Sequence, residues 1–273
     1  MTTRLSKSLV YALLVLGSVV TLVPLLWMIS ASLMPTGEAS TFPPPLFPSS
    51  VTFQHYGDLF GTLNLGRYFL NSALIASVIT LISLFFNSMA GYAFAKFRFK
   101  GRKPLFRFLI GGLVIPVQVA MLPLFLLLKE IGLINTYWGV IVPGMATIFG
   151  IFLIRQYALS IPDDLLDAAR IDGASEWRIY WSVVVPLCKP ILITLAIFTF
   201  MAAWNDFMWP LIVLNDNDMY TLPVALANML GEYHQQTELM LAGAVVTVLP
   251  VMVVFAALQR YYIEGIMLGS VKG

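Results

Sequence analysis

Apolar residues fall in long unbroken blocks along this chain, not at the alternating or three-to-four spacing of a soluble core. Uncharged runs cover Ser8–Gly37, Tyr68–Ala95, Phe108–Leu128, Ile131–Ile154 and Leu239–Gln259, and a sixth, Pro190–Leu214, is interrupted only by Asp206. Crossing a hydrocarbon core of roughly 30 Å takes about 20 apolar residues as helix, because no water is present there to satisfy bare backbone groups. The pattern therefore predicts six transmembrane helices, over 8–33, 68–95, 106–128, 133–157, 190–214 and 239–260, in one all-α polytopic domain of 273 residues. The connection 34–66 holds Pro35, Pro43, Pro44, Pro45 and Pro48 and reads as an irregular loop.

Composition agrees with the pattern. Apolar side chains make up 59% of the chain and charged ones 11%, against about 25% charged in soluble domains. That excludes a water-soluble enzyme, a disordered regulator and a secreted disulfide scaffold, and the single cysteine, Cys188, closes no internal disulfide. The net charge of +2 conceals a partition. All but two of the basic residues fall on one side of the predicted spans: in the N-terminal tail, in the C-terminal tail, in the connection after the second span (Lys96, Arg98, Lys100, Arg102, Lys103, Arg107) and in that after the fourth. Only Arg67 and Lys129 lie opposite. Basic short loops mark the cytoplasmic side, so both termini are expected there. The first run starts with charge and carries Ser30-Ala31-Ser32 like a signal peptide. It is twice as long as an h-region of about 7–15 residues, however, and reads as a retained span.

Two connections are more than turns. The outer loop 34–66 carries Phe42, Phe47, Phe53, Tyr56 and Phe60. It reads either as an ordered cap over the membrane face or as a tether that packs its aromatics on the spans; long loops are commonly functional. The cytoplasmic stretch 160–187 reads as helix–Gly–helix. Ser160 is placed to cap the first helix, Pro162 fits its first turn, and Asp163, Asp164 and Asp167 suit the positive end of its dipole. Leu165, Leu166 and Ala169 give it a small apolar face, and Gly173 suits a left-handed cap. Ser175 then caps a second helix with Trp177, Tyr180, Trp181 and Val184 on one stripe, closed by Pro186 and Pro190. The aromatic second helix would also suit lipid headgroups. The acidic, weakly apolar first helix suits a protein partner better, because anionic lipid repels it.

Here the residues carry a resemblance. Asp167-Ala168-Ala169, Gly173 and Val183-Val184-Val185-Pro186 resemble the loop E-A-A-x3-G-x9-I-x-L-P of bacterial ATP-binding-cassette importers, with Asp for Glu and Val for Ile and Leu. The segments Gly91–Phe99, Trp204–Pro210, Tyr220–Pro223 and Gln259–Tyr262 through Gly269–Gly273 look like MalG-type carbohydrate permeases. The resemblance implies the type I importer permease fold in the bacterial inner membrane. It also implies a non-catalytic subunit pairing with a homologous MalF-type permease, two copies of a cytoplasmic ATPase and an extracytoplasmic sugar-binding protein. Asp167, Ala168, Ala169, Asp172, Gly173 and Pro186 would form the coupling loop seated on the ATPase. The tail Gly269, Val271, Lys272 and Gly273 would reach toward the ATPase interface, and the outer loop would meet the binding protein. The cargo would be maltose, a maltodextrin or a similar di- or oligosaccharide; glycerol phosphate, a polyol or an alginate fragment is the alternative, and a stand-alone secondary transporter a further one.

The remaining polar residues fit this division of labour. No G-x-x-x-x-G-K-[ST] phosphate loop occurs, so ATP is expected on partner chains. Ion-coupled carriers use buried ionisable relays, and only Asp206 qualifies. Trp204, Asn205, Asp206 and Trp209 combine hydrogen-bonding groups with aromatic faces suited to a sugar, or else form an interfacial belt with a polar helix end. Asn71 and Asn87 read either as pathway groups or as bridges between helices. His55 and His234 are isolated, so neither a metal nor a cofactor is expected; no nucleophile–base set points to catalysis. The basic stretch Lys96–Arg107 reads as a topology anchor on anionic lipid, not a nucleic-acid site.

Overall fold

The computed structural model describes the backbone of residues 2–232 and 236–270, and the side chains of 7–229 and 236–259. Every regular element among the described residues is helical. Four helical stretches are long and apolar enough to cross a bilayer: Lys7–Ala31, Leu65–Lys96, Tyr137–Ala158 and Thr237–Gln259. Two bent pairs bring the total to six if each counts as one span. The chain divides into two compact units, Met1–Arg67 with Val224–Pro250, and Tyr68–Pro223 with Val251–Gly273.

In the first unit, α1 (Thr2–Ala31) has no buried residue in its apolar window and joins the unit's packing only at its last turn. There Ala31 and Met34 are buried with Ala39, flanked by Trp27. The loop that follows is not irregular throughout: Gln54–Gly61 forms helix α2. Polar contacts order it. The Trp27 indole N–H donates to the Pro45 carbonyl at 2.9 Å, the Ser30 hydroxyl to the Leu46 carbonyl at 2.7 Å, and the Ala39 N–H to the Glu238 carboxylate at 2.7 Å. His55, expected to be isolated, is buried with Nε2 2.8 Å from the Met34 carbonyl. Phe42, Phe47, Phe53 and Phe60 stay exposed, so aromatic packing on the spans is not what holds the loop.

In the second unit some of the expected runs are broken. The run expected over 106–128 is α4 (Arg102–Gly111), a short 3₁₀ turn and α5 (Val117–Glu130), bent by 105°. Pro116 lacks the N–H that would continue the helix and pushes the preceding residue into extended backbone; Ile115 has φ −83° and ψ 118°. The fourth span runs as α6 (Tyr137–Ile141), a 3₁₀ turn and α7 (Ile148–Ala158). Backbone groups released by such a break have no water to turn to, so side chains must serve them. Thr136 and Thr147 cap α6 and α7, and the Asn87 side-chain oxygen accepts from the Thr147 N–H at 2.9 Å. Asn87 belongs to α3 (Leu65–Lys96), and Asn71 on the same helix donates to the Asp218 and Tyr220 carbonyls. Both asparagines thus bridge segments of the chain. α3 and α7 approach closely at Gly91, where a Cβ would lie 2.7 Å from Ile154.

The helices that complete this unit are α8 (Asp163–Ile171), α9 (Glu176–Leu187), α10 (Lys189–Trp204) and α11 (Met208–Val213). They are followed by α12 (Leu222–Glu232) and α13 (Thr237–Ser270). α9 and α10 meet at a 78° bend. The last helix runs ten residues beyond the expected end of the sixth span at 260.

Candidate functional site

The stretch 160–187 folds as a helix–Gly–helix knob, with one change at its start. Ser160 does not cap α8: its hydroxyl donates to the Tyr157 carbonyl at the end of α7, and the position before the first helical residue is Pro162. Its last turn ends in a left-handed cap. Gly173 has φ +79°, its N–H donates to the Arg170 carbonyl, and the Ala174 N–H donates to the Ala169 carbonyl, each at 3.0 Å. These two bonds are the Schellman pair that satisfies the final carbonyls of a helix. Ser175 caps α9 by accepting from the Arg178 N–H at 3.3 Å.

The predicted aromatic stripe of α9 splits. Tyr180 and Val184 are buried with Ile179, while Trp177 and Trp181 remain half-exposed and pack on each other and on Phe85. The physical reason is a π-helical segment over Tyr180–Val184, which adds a residue to the turn and rotates the face.

Charge is arranged around α8 in a network that the sequence did not announce. Arg170 binds Asp167 at 2.7 Å and the Glu176 carboxylate at 2.7 and 3.3 Å, and Glu176 in turn accepts from the Tyr92 hydroxyl at 3.4 Å. Lys96 donates to the Ile161 carbonyl at 2.5 Å and to Asp163 at 2.6 Å. The Lys96 bond holds the Asp163 carboxyl below the usual carboxylate range. Lys96 was read as a lipid anchor, but its side chain is only 7% exposed and faces protein. A cleft of about 690 Å³ opens beside this network, lined by Lys96, Arg98, Asp167, Arg170 and Glu176 among others. On the outward side of α8, Ile171 is 86% exposed and Leu165 about half exposed; Asp164, Asp167, Ala168, Asp172 and Gly173 are exposed with them, as is Pro186 beyond.

The four candidate pathway residues separate. Trp204 is 1% exposed, stacked on Phe200 and edge-on to Phe69, and the Asn205 amide donates to the Met201 carbonyl at the end of α10. Asp206 accepts from the Trp209 N–H at 3.3 Å, and the buried Trp209 indole donates to the Gly139 carbonyl at 3.1 Å. Asp206 and Trp209 line a mostly apolar cavity of about 570 Å³ with Met121, Thr147, Phe198 and Thr199; Trp204 and Asn205 do not. Of the tail residues, Gly269 lies in the backbone of α13, and Val271, Lys272 and Gly273 lie outside the described residues, as do His234 and the side chains from Arg260 onward. No cluster of metal-ligating side chains occurs among the described residues.

Apolar spans broken at prolines, with a charged two-helix knob between the fourth and fifth, define a polytopic membrane permease subunit. The family of binding-protein-dependent transport system inner membrane components matches residues 87–266, and the chain belongs to it: the permease subunits of ATP-binding-cassette importers. Over 253 residues it is 42% identical to the arabinooligosaccharide transport system permease AraQ of Halalkalibacterium halodurans, covering 92% of this chain and 91% of that protein. It is 34% identical to the lactose transport system permease LacG of Rhizobium radiobacter, covering 98% and 97%. Among solved structures, a chain of a bacterial ABC transporter that imports the acidic polysaccharide alginate superposes with a TM-score of 0.85 at 24% identity, covering 96% and 98%.

Proposed function

We propose that this chain is one of the two permeases of a binding-protein-dependent importer for a di- or oligosaccharide, driven by ATP hydrolysis on partner ATPase subunits. The observation that carries it is the shape of the 160–187 knob: an acidic helix closed by a left-handed glycine, with Ile171 and Leu165 uncovered beside exposed Asp164 and Asp172. Such a surface combines an apolar anchor with a rim of charge, as protein-docking sites do. The kinship with arabinooligosaccharide and lactose permeases supports a sugar cargo. In this reading α8 with Gly173 and Pro186 seats on the ATPase, the tail Gly269–Gly273 reaches toward the same partner, and both termini are cytoplasmic. The exposed aromatics of 34–66 meet the binding protein. Asp206 and Trp209 border the pathway shared with a homologous permease.

The test is sugar-stimulated ATP hydrolysis by the four-chain complex with its binding protein in proteoliposomes. The panel holds arabino-oligosaccharides, lactose, maltotriose, glycerol phosphate and an alginate oligosaccharide. Stimulation by one or more of the first three supports the reading; uptake by this chain without ATPase subunits overturns it. Gly173 gives a sharper probe. A Cβ there would meet open space, but the backbone conformation is one that L side chains avoid at about 1–2 kcal/mol. Gly173→Val is expected to lower transport about tenfold by tilting α8 off its cap. Unchanged ATPase association and transport would remove the coupling role.

A further inference from the structure

We propose that Lys96 and Tyr92, one turn apart near the C-terminal end of α3, are positioning residues that lock α8 onto the second span, so that movement imposed on α8 reaches α3. The proposal rests on the reading above, in which α8 is the element the ATPase moves. α8 has two covalent neighbours, and both are poor at transmitting force. It is joined to α7 by the non-helical link through Pro162, and the helix that follows it meets α10 at the 78° bend. Its attachment to α3 adds side-chain hydrogen bonds and an ion pair to a core that it also shares with α7 and α9. Leu166 is buried in one core with Tyr92, Ala95 and Ile154, and polar contacts hold the helix at both ends.

At the N-terminal end, the Lys96 ammonium bridges the Ile161 carbonyl and Asp163. A nearly buried cation cannot leave such partners without being stranded away from water. At the C-terminal end, Glu176 takes two bonds from Arg170, the last basic residue of α8, and a third from Tyr92. Tyr92 itself packs on Phe97 and Tyr180, so its hydroxyl is aimed by rings on two sides. Positions 92 and 96 fall on one face of a helix, so a single stripe of α3 grips both ends of α8. The grip also sorts the acids of the knob. Asp163, Asp167 and Glu176 are engaged within the chain, which leaves Asp164 and Asp172 to meet a partner.

The experiment uses the complete complex with K96M, K96R and Y92F in this chain. It reads ATPase subunits retained on purification, basal ATP hydrolysis, and sugar imported per ATP hydrolysed. K96M is expected to retain the ATPase subunits and basal hydrolysis while sugar imported per ATP falls about tenfold, in the range seen when coupling residues are altered. K96R is expected to restore the ratio to within about twofold, and Y92F to lower it about threefold. A D163N variant adds a pH control. Facing Lys96, Arg98 and Arg170, the Asp163 carboxyl is held below its ordinary range, so its contribution is present at neutral pH and lost only as pH falls through that lowered value. The D163N defect should therefore be the same at pH 6 and pH 8. A K96M ratio within about twofold of the parent overturns the proposal, and so does loss of ATPase subunits from the K96M complex, which would assign Lys96 to docking. A parent complex whose ATPase ignores every sugar overturns the proposed function instead.

Discussion

A leucine at Gly91 is expected to leave almost no folded permease in the membrane. The Cβ alone would stand 2.7 Å from two carbons of Ile154 and 2.9 Å from the backbone nitrogen of Arg155. A side chain can rotate away from such a contact, but a backbone nitrogen inside α7 cannot. The two helices must therefore separate along the crossing that also carries Asn87 and Thr147. Overpacking a well-filled site by a single group costs about 1–3 kcal/mol, and four carbons against backbone should exceed that range. Helix association within a bilayer depends on close packing through small residues, so nothing else at the crossing offsets the loss. The measurement is the monodisperse yield of a fluorescent fusion after detergent extraction, with Gly91→Ala as an intermediate case and Gly17→Leu as control. Gly17 has open space around its Cβ position, and yield there should not change.

The second large effect should appear without any loss of fold. Ile171→Asp removes the most exposed apolar side chain of α8 and sets a third acid beside Asp172 and Asp167. No buried contact of this chain is broken, so yield and thermal stability should match the parent. Affinity for the ATPase subunits should fall by about 100-fold, because a central apolar anchor of an interface is typically worth about 2–4 kcal/mol. Titrating purified ATPase onto the permease pair in nanodiscs reads this directly. Unchanged affinity would show that α8 is not seated in the ATPase. Leu166→Asp, five residues earlier on the buried side of the helix, should instead lose the fold and so separates the two faces.

The architecture could be read from the chain because a bilayer imposes a length on apolar runs and a side on basic ones. Its breaks could be read only in part. Pro116 announces the 105° bend once the structure is known, yet Pro24, Pro123 and Pro250 sit inside helices that continue past them. Local pattern does not separate the proline that breaks a helix from those that a helix absorbs. The helix–Gly–helix shape of 160–187 was legible in Gly173, Ser175 and the acids of α8, since caps and dipoles act within a turn. Lys96 was not legible: in sequence it is the first of six basic residues, and its partners lie 65 and 67 residues further on. The separate settings of the two tryptophans are not legible either, for the same reason. Trp209 spends its indole N–H on Gly139, 70 residues away, and Trp204 is enclosed by Phe200 and Phe69.

The first span has a consequence for how its own mutations should be understood. Across its apolar window α1 buries nothing against the rest of this chain, although it is as long as the other spans. Its side chains thus carry no information that this polypeptide reads; whatever reads them is a neighbour. If that neighbour is fluid lipid, only the number of apolar residues matters and their order is free. If it is the shoulder of a second permease, the order is a code. Shuffling residues 9–23 at constant composition would tell a solvent from a subunit, because the fold described here is indifferent to the outcome.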